Sequence, residues 1–385
     1  MLKKRWLCAL VCLFLSTAAC SPAWAKSSSN VDADIDRIFR RASTVGGVVL
    51  VARHGELVYE RYYGHADVKA KKRVDRDTYF RAASVTKFVT GIGVMQLVER
   101  DILYLDDDIG TTLDMNIRNP RFRNTPVTLR QLMTHTSGVD DTTGYTNAAG
   151  TLRAFLEENP RRYFTGREPG ASYAYSNFGA GIVGAVMEAA TGQSVNAYMR
   201  ERVFAPMGID AAYSASLLRS PDDVPAQYVD QKLDVSAKTA LESVYEDFSD
   251  PDRHYRTTIG SLWIRPRDLL DLVNLMCAGG ELNGVRLLAP ETVEEMLADQ
   301  SGMGSVFGNS PYSLFTARVD SVIPGVTLYG HQGTSSGFVC SVYFEPETGY
   351  AFVLMTNGAN LRQNNRVNVL ARQLLIYTYP MVVGR

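Results

Sequence analysis

Strand-forming patterns sit at the two ends of this chain and are scarce between them, which limits the folds open to it. Near the start, Gly47 to Arg53 and Leu57 to Tyr63 are β-branched or aromatic runs flanking His54-Gly55, a hairpin signal. Toward the end, Val326 to Tyr329, Phe338 to Phe344 and Tyr350 to Thr356 read as strands, the last two joined by Glu345-Pro346-Glu347-Thr348-Gly349. Roughly 100–255 is helical pattern broken by Gly, Pro and polar loops, with no convincing strand pair. The arrangement predicts an α+β fold: one antiparallel sheet built from distant segments, flanked by helices, with a mainly helical inserted domain. The expected division is 26–99 and 259–385 for the sheet domain and 100–258 for the helical insert.

Helical patterns fill in the frame. Residues 31–43 place Ile35, Ile38, Phe39 and Ala42 on one face, and 84–100 is apolar nearly throughout, as a buried helix would be. Arg267 to Ala278, Pro290 to Leu297 and about Leu361 to Tyr377 complete the set.

The first 25 residues stand apart. Lys3, Lys4 and Arg5 precede an apolar stretch, Trp6 to Ala19, too short to span a bilayer, and Ala23-Trp24-Ala25 is a small-x-small cleavage site. This reads as a secretory signal peptide, so the chain is expected to be exported, to the periplasm. Thr17-Ala18-Ala19-Cys20 offers a second reading as a lipoprotein box, and a membrane partner is expected only if Cys20 is lipidated. Beyond the leader only Cys277 and Cys340 remain, in a helical and a strand pattern, which favours two buried thiols over a disulfide. With 40 Lys+Arg against 41 Asp+Glu, nothing suggests a nucleic-acid partner. No Cys/His spacing resembles a metal site, and no cofactor is expected.

Two serines compete as nucleophile. Gly333-Thr334-Ser335-Ser336-Gly337 matches G-x-S-x-G, but that motif requires a helix after the serine, and a strand follows here. The other is Ser84-Val85-Thr86-Lys87 at the start of the apolar helix, where residues i and i+3 share a face and Lys87 reaches the Ser84 hydroxyl. A serine needs such a neighbour to attack at neutral pH, and a helix N-terminus favours negative charge developing on a substrate oxygen. Tyr175-Ser176-Asn177 puts a phenol and a carboxamide on a loop entering a Gly-rich helix. A Tyr beside a Lys ammonium loses its proton more easily and acts as a base, and Asn donates to a carbonyl. His331-Gln332-Gly333 ends a strand where Gly lets a substrate approach the backbone.

In order and wide separation, these three clusters resemble the serine β-lactamase and penicillin-binding-protein superfamily, nearest to its class C β-lactamase, DD-peptidase and esterase branch. Thr134-His135-Thr136-Ser137-Gly138 also looks like a segment of that branch. The resemblance implies an acyl-enzyme mechanism on ester, amide or D-amino-acid peptide bonds. Ser84 would be the nucleophile, Lys87 its proton partner, Tyr175 the relay to the leaving group, and Asn177 the group orienting the substrate carbonyl or amide. His331 would stand in the catalytic strand motif, and Gly333 and Thr334 would bind substrate, with the N–H groups of Ser84 and Thr334 as oxyanion hole. Family β-lactamases usually carry a Lys and a hydroxyl residue where His331 and Gln332 stand, which argues against efficient β-lactam hydrolysis. A class C-like β-lactamase and a slowly acylated sensor domain stay open as alternatives. Residues 211–258, with Tyr228, Tyr245, Phe248 and Tyr255, are expected either to lie over the cleft or to be a surface insertion.

Overall fold

A computed structural model describes residues 28–384 apart from 142–143, 147–149, 243–248, 301–311 and 365–366. The leader, Cys20, Tyr245 and Phe248 lie outside the described residues. Helix α1 (Ser28–Arg41) leads into the hairpin β1 (Gly46–Arg53) and β2 (Glu56–Asp67), followed by two short strands, β3 (Lys72–Arg73) and β4 (Phe80–Arg81). Helix α2 (Val85–Glu99) and helix α3 (Asn177–Thr191) follow, then β5 (Ala211–Ala212), β6 (Gln227–Val229), β7 (Lys232–Val235) and β8 (Trp263–Ile264). Helices α4 (Pro266–Cys277) and α5 (Pro290–Leu297) precede β9 (Ala317–Val319), β10 (Leu328–Ser335), β11 (Phe338–Glu345) and β12 (Tyr350–Thr356), and α6 (Val369–Val383) closes the chain.

The main sheet has the order β9-β10-β11-β12-β1-β2-β3 with every neighbour antiparallel. Its centre is the pairing of β1 with β12, Gly47 opposite Thr356 through Arg53 opposite Tyr350, which joins the two ends of the chain as their patterns predict. Side chains alternate across a strand, so each central strand feeds two cores. Val48, Leu50, Val342 and Val353 face the core that includes α2 and α4, and Val49, Val51, Phe352 and Leu354 face the one closed by α1 and α6. The first core runs without a break from the sheet into the helical middle, through Leu132, Phe178 and Met199. Cys277 and Cys340 are both free thiols.

The structure corrects four expectations. The middle of the chain does hold strands: β6 and β7 pair around Asp230 and Gln231, both at positive φ (47° and 64°), a primed turn built without glycine. Strand β10 runs to Ser335 rather than ending at Tyr329, carrying His331, Gly333 and Thr334 inside the sheet. The terminal helix starts at Val369, where the Asn368 side chain accepts the N–H groups of Leu370 and Ala371, because a small hairpin, Gln363–Asn364 with Val367–Asn368, occupies the expected first turns. Tyr228 and Tyr255 are buried rather than spread over a cleft, with Tyr255 edge-on to Phe178 at 5.7 Å.

Candidate active site

Helix α2 is apolar all round and buried from Val85 to Met95, so its N-terminus is fixed within the protein. Ser84 stands at that end. The residue before it, Ala83, is held at φ 47°, a left-handed conformation that costs about 1–2 kcal/mol in a non-glycine residue. The surrounding packing over-determines it: Gly260 abuts Ala83, where an added Cβ would stand 3.2 Å from the Ala83 carbonyl carbon.

Lys87, one turn on, is fully buried and has three polar neighbours. Its Nζ lies 2.7 Å from the Ile259 carbonyl oxygen, 2.9 Å from Asn177 Oδ1 and 3.2 Å from Ser84 Oγ. Two of these are acceptors only, so they take two N–H bonds and leave the third direction at Ser84. Burial pulls the Lys87 pKa down from 10.5 to about 7, opposed by the negative charge of Asp141. The neutral amine, with its lone pair toward Ser84, is therefore well populated at neutral pH.

Asn177 and Ile259 reach Lys87 through glycine. In α3, a Cβ at Gly181 would meet the Tyr255 carbonyl oxygen at 1.9 Å, so the chain that continues to Ile259 packs on helix backbone. The start of α3 is held by a residue the sequence reading passed over. Asp141 Oδ1 accepts from Ser176 Oγ (2.8 Å) and the Phe178 N–H (2.9 Å), and Oδ2 accepts from the Asn177 N–H (2.7 Å). A carboxylate is favoured there by the helix dipole. Its signal was in plain sight, an Asp three residues after Gly138, but its partners lie some 35 positions on, at Ser176 to Phe178.

Tyr175 faces Ser84 across the cleft, is 38% exposed, and has its ring 5.2 Å from Lys87 Nζ. The expectation of an easily lost phenolic proton is not met: burial raises the Tyr175 pKa, and the Ser84 hydrogen bond only partly offsets it. Behind it, the His135 ring lies 4.3 Å from the Tyr175 ring and its Nδ1 accepts the Ser176 N–H at 3.3 Å. Nε2 therefore carries the proton, and burial and the charge of Lys87 hold His135 neutral.

His331 is buried on β10. Gln332 O can only accept, so the 2.7 Å contact assigns the proton to Nδ1, and Nε2 accepts the Tyr312 hydroxyl at 3.0 Å. Burial, then the charge of Lys87, push the His331 pKa from 6.5 down to about 3. Strand β9 pairs with β10 only over Leu328 to Gly330, so from His331 onward the outer edge of β10 has no strand partner among the described residues. Gly333 lies against the nucleophile's backbone, where a Cβ would meet the Ser84 nitrogen at 2.4 Å. That N–H has no acceptor among the described residues.

A cavity of about 460 Å³ collects Ser84, Tyr175, Asn177, His331, Gly333 and Thr334, with Lys87 beneath its floor. All seven predicted site residues thus meet in one place. Tyr173, Tyr312 and Gln363, which the sequence did not single out, complete its described walls along with Gln332. Ser335, the rejected nucleophile, instead closes β10 at a hairpin turn in which Ser336 has φ 43°.

The beta-lactamase family profile matches residues 31–375. This chain belongs to the beta-lactamase family. As a member it has the mixed helix and antiparallel-sheet fold of that family. Esterase EstB of Burkholderia gladioli is 35% identical over 206 residues, 48% of this chain and 51% of that protein. Penicillin-binding protein 4* of Bacillus subtilis (strain 168) is 26% identical over 286 residues, 69% of this chain and 60% of its own length. The chain thus spans between half and two thirds of these relatives. Among solved structures, the octameric penicillin-binding protein homologue from Pyrococcus abyssi superposes with a TM-score of 0.73 at 20% identity, over 93% of this chain and 78% of that one.

Proposed function

We propose that this chain is an exported hydrolase of neutral carboxylic esters and amides, acting through an acyl-enzyme on Ser84. The observation that carries the reading is the Lys87 amine: buried, tied to two acceptors, and 3.2 Å from Ser84 Oγ with a pKa near neutrality. Neutral Lys87 takes the Ser84 proton as Oγ attacks the carbonyl carbon. The N–H groups of Ser84 and Thr334 hold the developing oxyanion, each such donor being worth ~3–4 kcal/mol. Tyr175, protonated because its pKa is raised, gives its proton to the departing oxygen or nitrogen and is restored from the Lys87 ammonium. Water then attacks the acyl-serine with the same groups in reverse, releasing the acid.

The neutral substrate class rests on the strand side of the cleft. His331 is uncharged at neutral pH, Gln332 is an amide, and no Arg or Lys appears among the described cavity-lining residues. A penicillin or a D-amino-acid peptide terminus brings a carboxylate that this wall does not complement. The esterase relative supports the same direction. Export rests on the basic start, short apolar stretch and cleavage site of residues 1–25.

The test is an intact-mass time course with a short acyl ester and with benzylpenicillin, following both compounds in the same tubes. Ester cleavage with penicillin untouched is expected. Consumed penicillin would make the chain a β-lactamase, and a lasting penicillin adduct without turnover would make it a DD-peptidase or a sensor.

A further inference from the structure

A second cavity of about 460 Å³ shares no lining residue with the first. Arg81 lines it, three residues before Ser84. Several partly buried arginines are matched with carboxylates, Arg61 with Asp36, Arg118 with Asp108 and Arg130 with Asp106, while Arg53 and Arg372 are capped by backbone carbonyls and line neither cavity. Arg81 has no carboxylate partner among the described residues. Its Nε donates to the Gly260 carbonyl oxygen at 2.9 Å, and neither Nη nitrogen has a partner among the described residues. On a strand that borders the cavity, Asp234 is held by Gln227 Nε2 at 2.6 Å. Arg81 therefore pays a desolvation cost that lowers its pKa, with no opposing charge among the described residues.

The rest of the cavity is mixed: Tyr213, Ser214, Gln227, Thr239 and Ser261 line it beside an aromatic and aliphatic patch. Trp263 is the cross-strand partner of Arg81 in the β4–β8 pair, and its indole meets the Phe338 ring edge-on at 5.8 Å. Pro225, Val235 and Ala240 add aliphatic surface. A guanidinium fork beside an aromatic and aliphatic patch matches a carboxylate with an apolar body, since the planar fork engages both carboxylate oxygens. We propose that this cavity binds such an organic carboxylate through the two Nη nitrogens of Arg81. The site is wired to the catalytic one: Gly260, which accepts Arg81, abuts Ala83 and follows Ile259, whose carbonyl holds Lys87. The carboxylate belongs either to the acyl part of a substrate, in which case the neutral class proposed for this enzyme holds only for the part facing β10, or to a free acid.

Binding is read without turnover. Trp263 is one of three tryptophans, the others being Trp6 and Trp24, so Trp6→Phe and Trp24→Phe in the full chain leave one indole, inside this cavity. Titration with 5-phenylvalerate should give a saturable fluorescence change, about tenfold tighter than with neutral 5-phenylvaleramide and lost in Arg81→Met. Equal affinity for acid and amide, or no response to the acid, overturns the proposal. Should Arg81→Met not fold, Val235→Glu at the half-buried rim places a competing carboxylate in the cavity. Acid binding by that variant as tight as in the parent also overturns it. Two arms then separate the sources. If the acyl part is the ligand, the preference for the 4-nitrophenyl half-ester of adipate over 4-nitrophenyl hexanoate falls about tenfold in Val235→Glu. If a free acid is the ligand, that preference stays level and the titration persists after Ser84 is phosphonylated.

Discussion

Gly333 and Ser84 are in backbone contact: the position a Gly333 side chain would occupy is 2.4 Å from the Ser84 nitrogen and 2.8 Å from the Ala82 carbonyl oxygen. Neither obstacle is the movable end of a side chain, so β10 and the start of α2 have to separate for any larger residue to fit. Gly333→Ala should lower kcat/KM by about a hundredfold or more, since the Ser84 N–H moves relative to the carbonyl it is meant to hold. A folded variant with near-normal esterase kinetics would contradict the placement of the oxyanion hole.

Ser84→Ala should abolish turnover and leave the circular dichroism spectrum and melting temperature nearly unchanged, because the Ser84 side chain caps no helix N–H. Mass spectrometry of the parent quenched during ester turnover should place the acyl group on Ser84 alone.

The pH dependence follows from Lys87. Its neutral form is the base, so kcat/KM should rise with a midpoint near pH 7 and level off above it. Lys87→Met should lose about a thousandfold or more and the limb with it. Lysine also links to stability. Between about pH 7 and 10.5 the unfolded chain binds a proton at this residue that the native one does not, so the parent should gain stability with rising pH in that window relative to Lys87→Met. Urea titrations at several pH values measure the difference.

Asp141 faces the Lys87 charge and raises its pKa, while His135 and His331 are pushed down by the same charge. Asp141→Asn should therefore shift the acid limb of kcat/KM to lower pH, as Lys87 loses a favourable neighbour. It should also cost about 1–3 kcal/mol of stability, because one of three donors at the head of α3 loses its acceptor. Lost stability with an unmoved limb would reduce Asp141 to a helix cap.

His331 sets an acid limit. Unfolded, it binds a proton below about pH 6.5; folded, it does so only near pH 3, so stability falls as the pH drops through that interval, by about 1.4 kcal/mol per unit. In His331→Gln this contribution to the acid slope should vanish, which denaturant titrations from pH 6.5 to 4 would resolve.

What the sequence disclosed and withheld follows a physical division. The β1–β2 hairpin, α2 and α5 were legible because their signals are local: alternation around His54-Gly55, an unbroken apolar run, a Pro at a helix start. The Ser84, Tyr175 and His331 clusters were legible because each contains its own chemistry, although only the resemblance implied that they meet. Asp141 was not, since its role depends on Ser176 to Phe178 folding back over it. Nor was the β6–β7 turn, where Asp230 and Gln231 adopt positive φ without the usual glycine. The Tyr175 pKa went the other way because burial, helped by the charge of Asp141, outweighs the hydrogen bond from Ser84.

The antiparallel join between β1 and β12 also sets a schedule. Gly47 meets Thr356 across roughly 300 residues of chain, and pairings that distant form late and slowly. During synthesis the Ser84 helix emerges long before β10 and β11 exist to wall its cleft. A chain still short of its last strands therefore carries Ser84 and Lys87 without the wall that His331, Gly333 and Thr334 supply, and the cleft is complete only when those strands close the sheet.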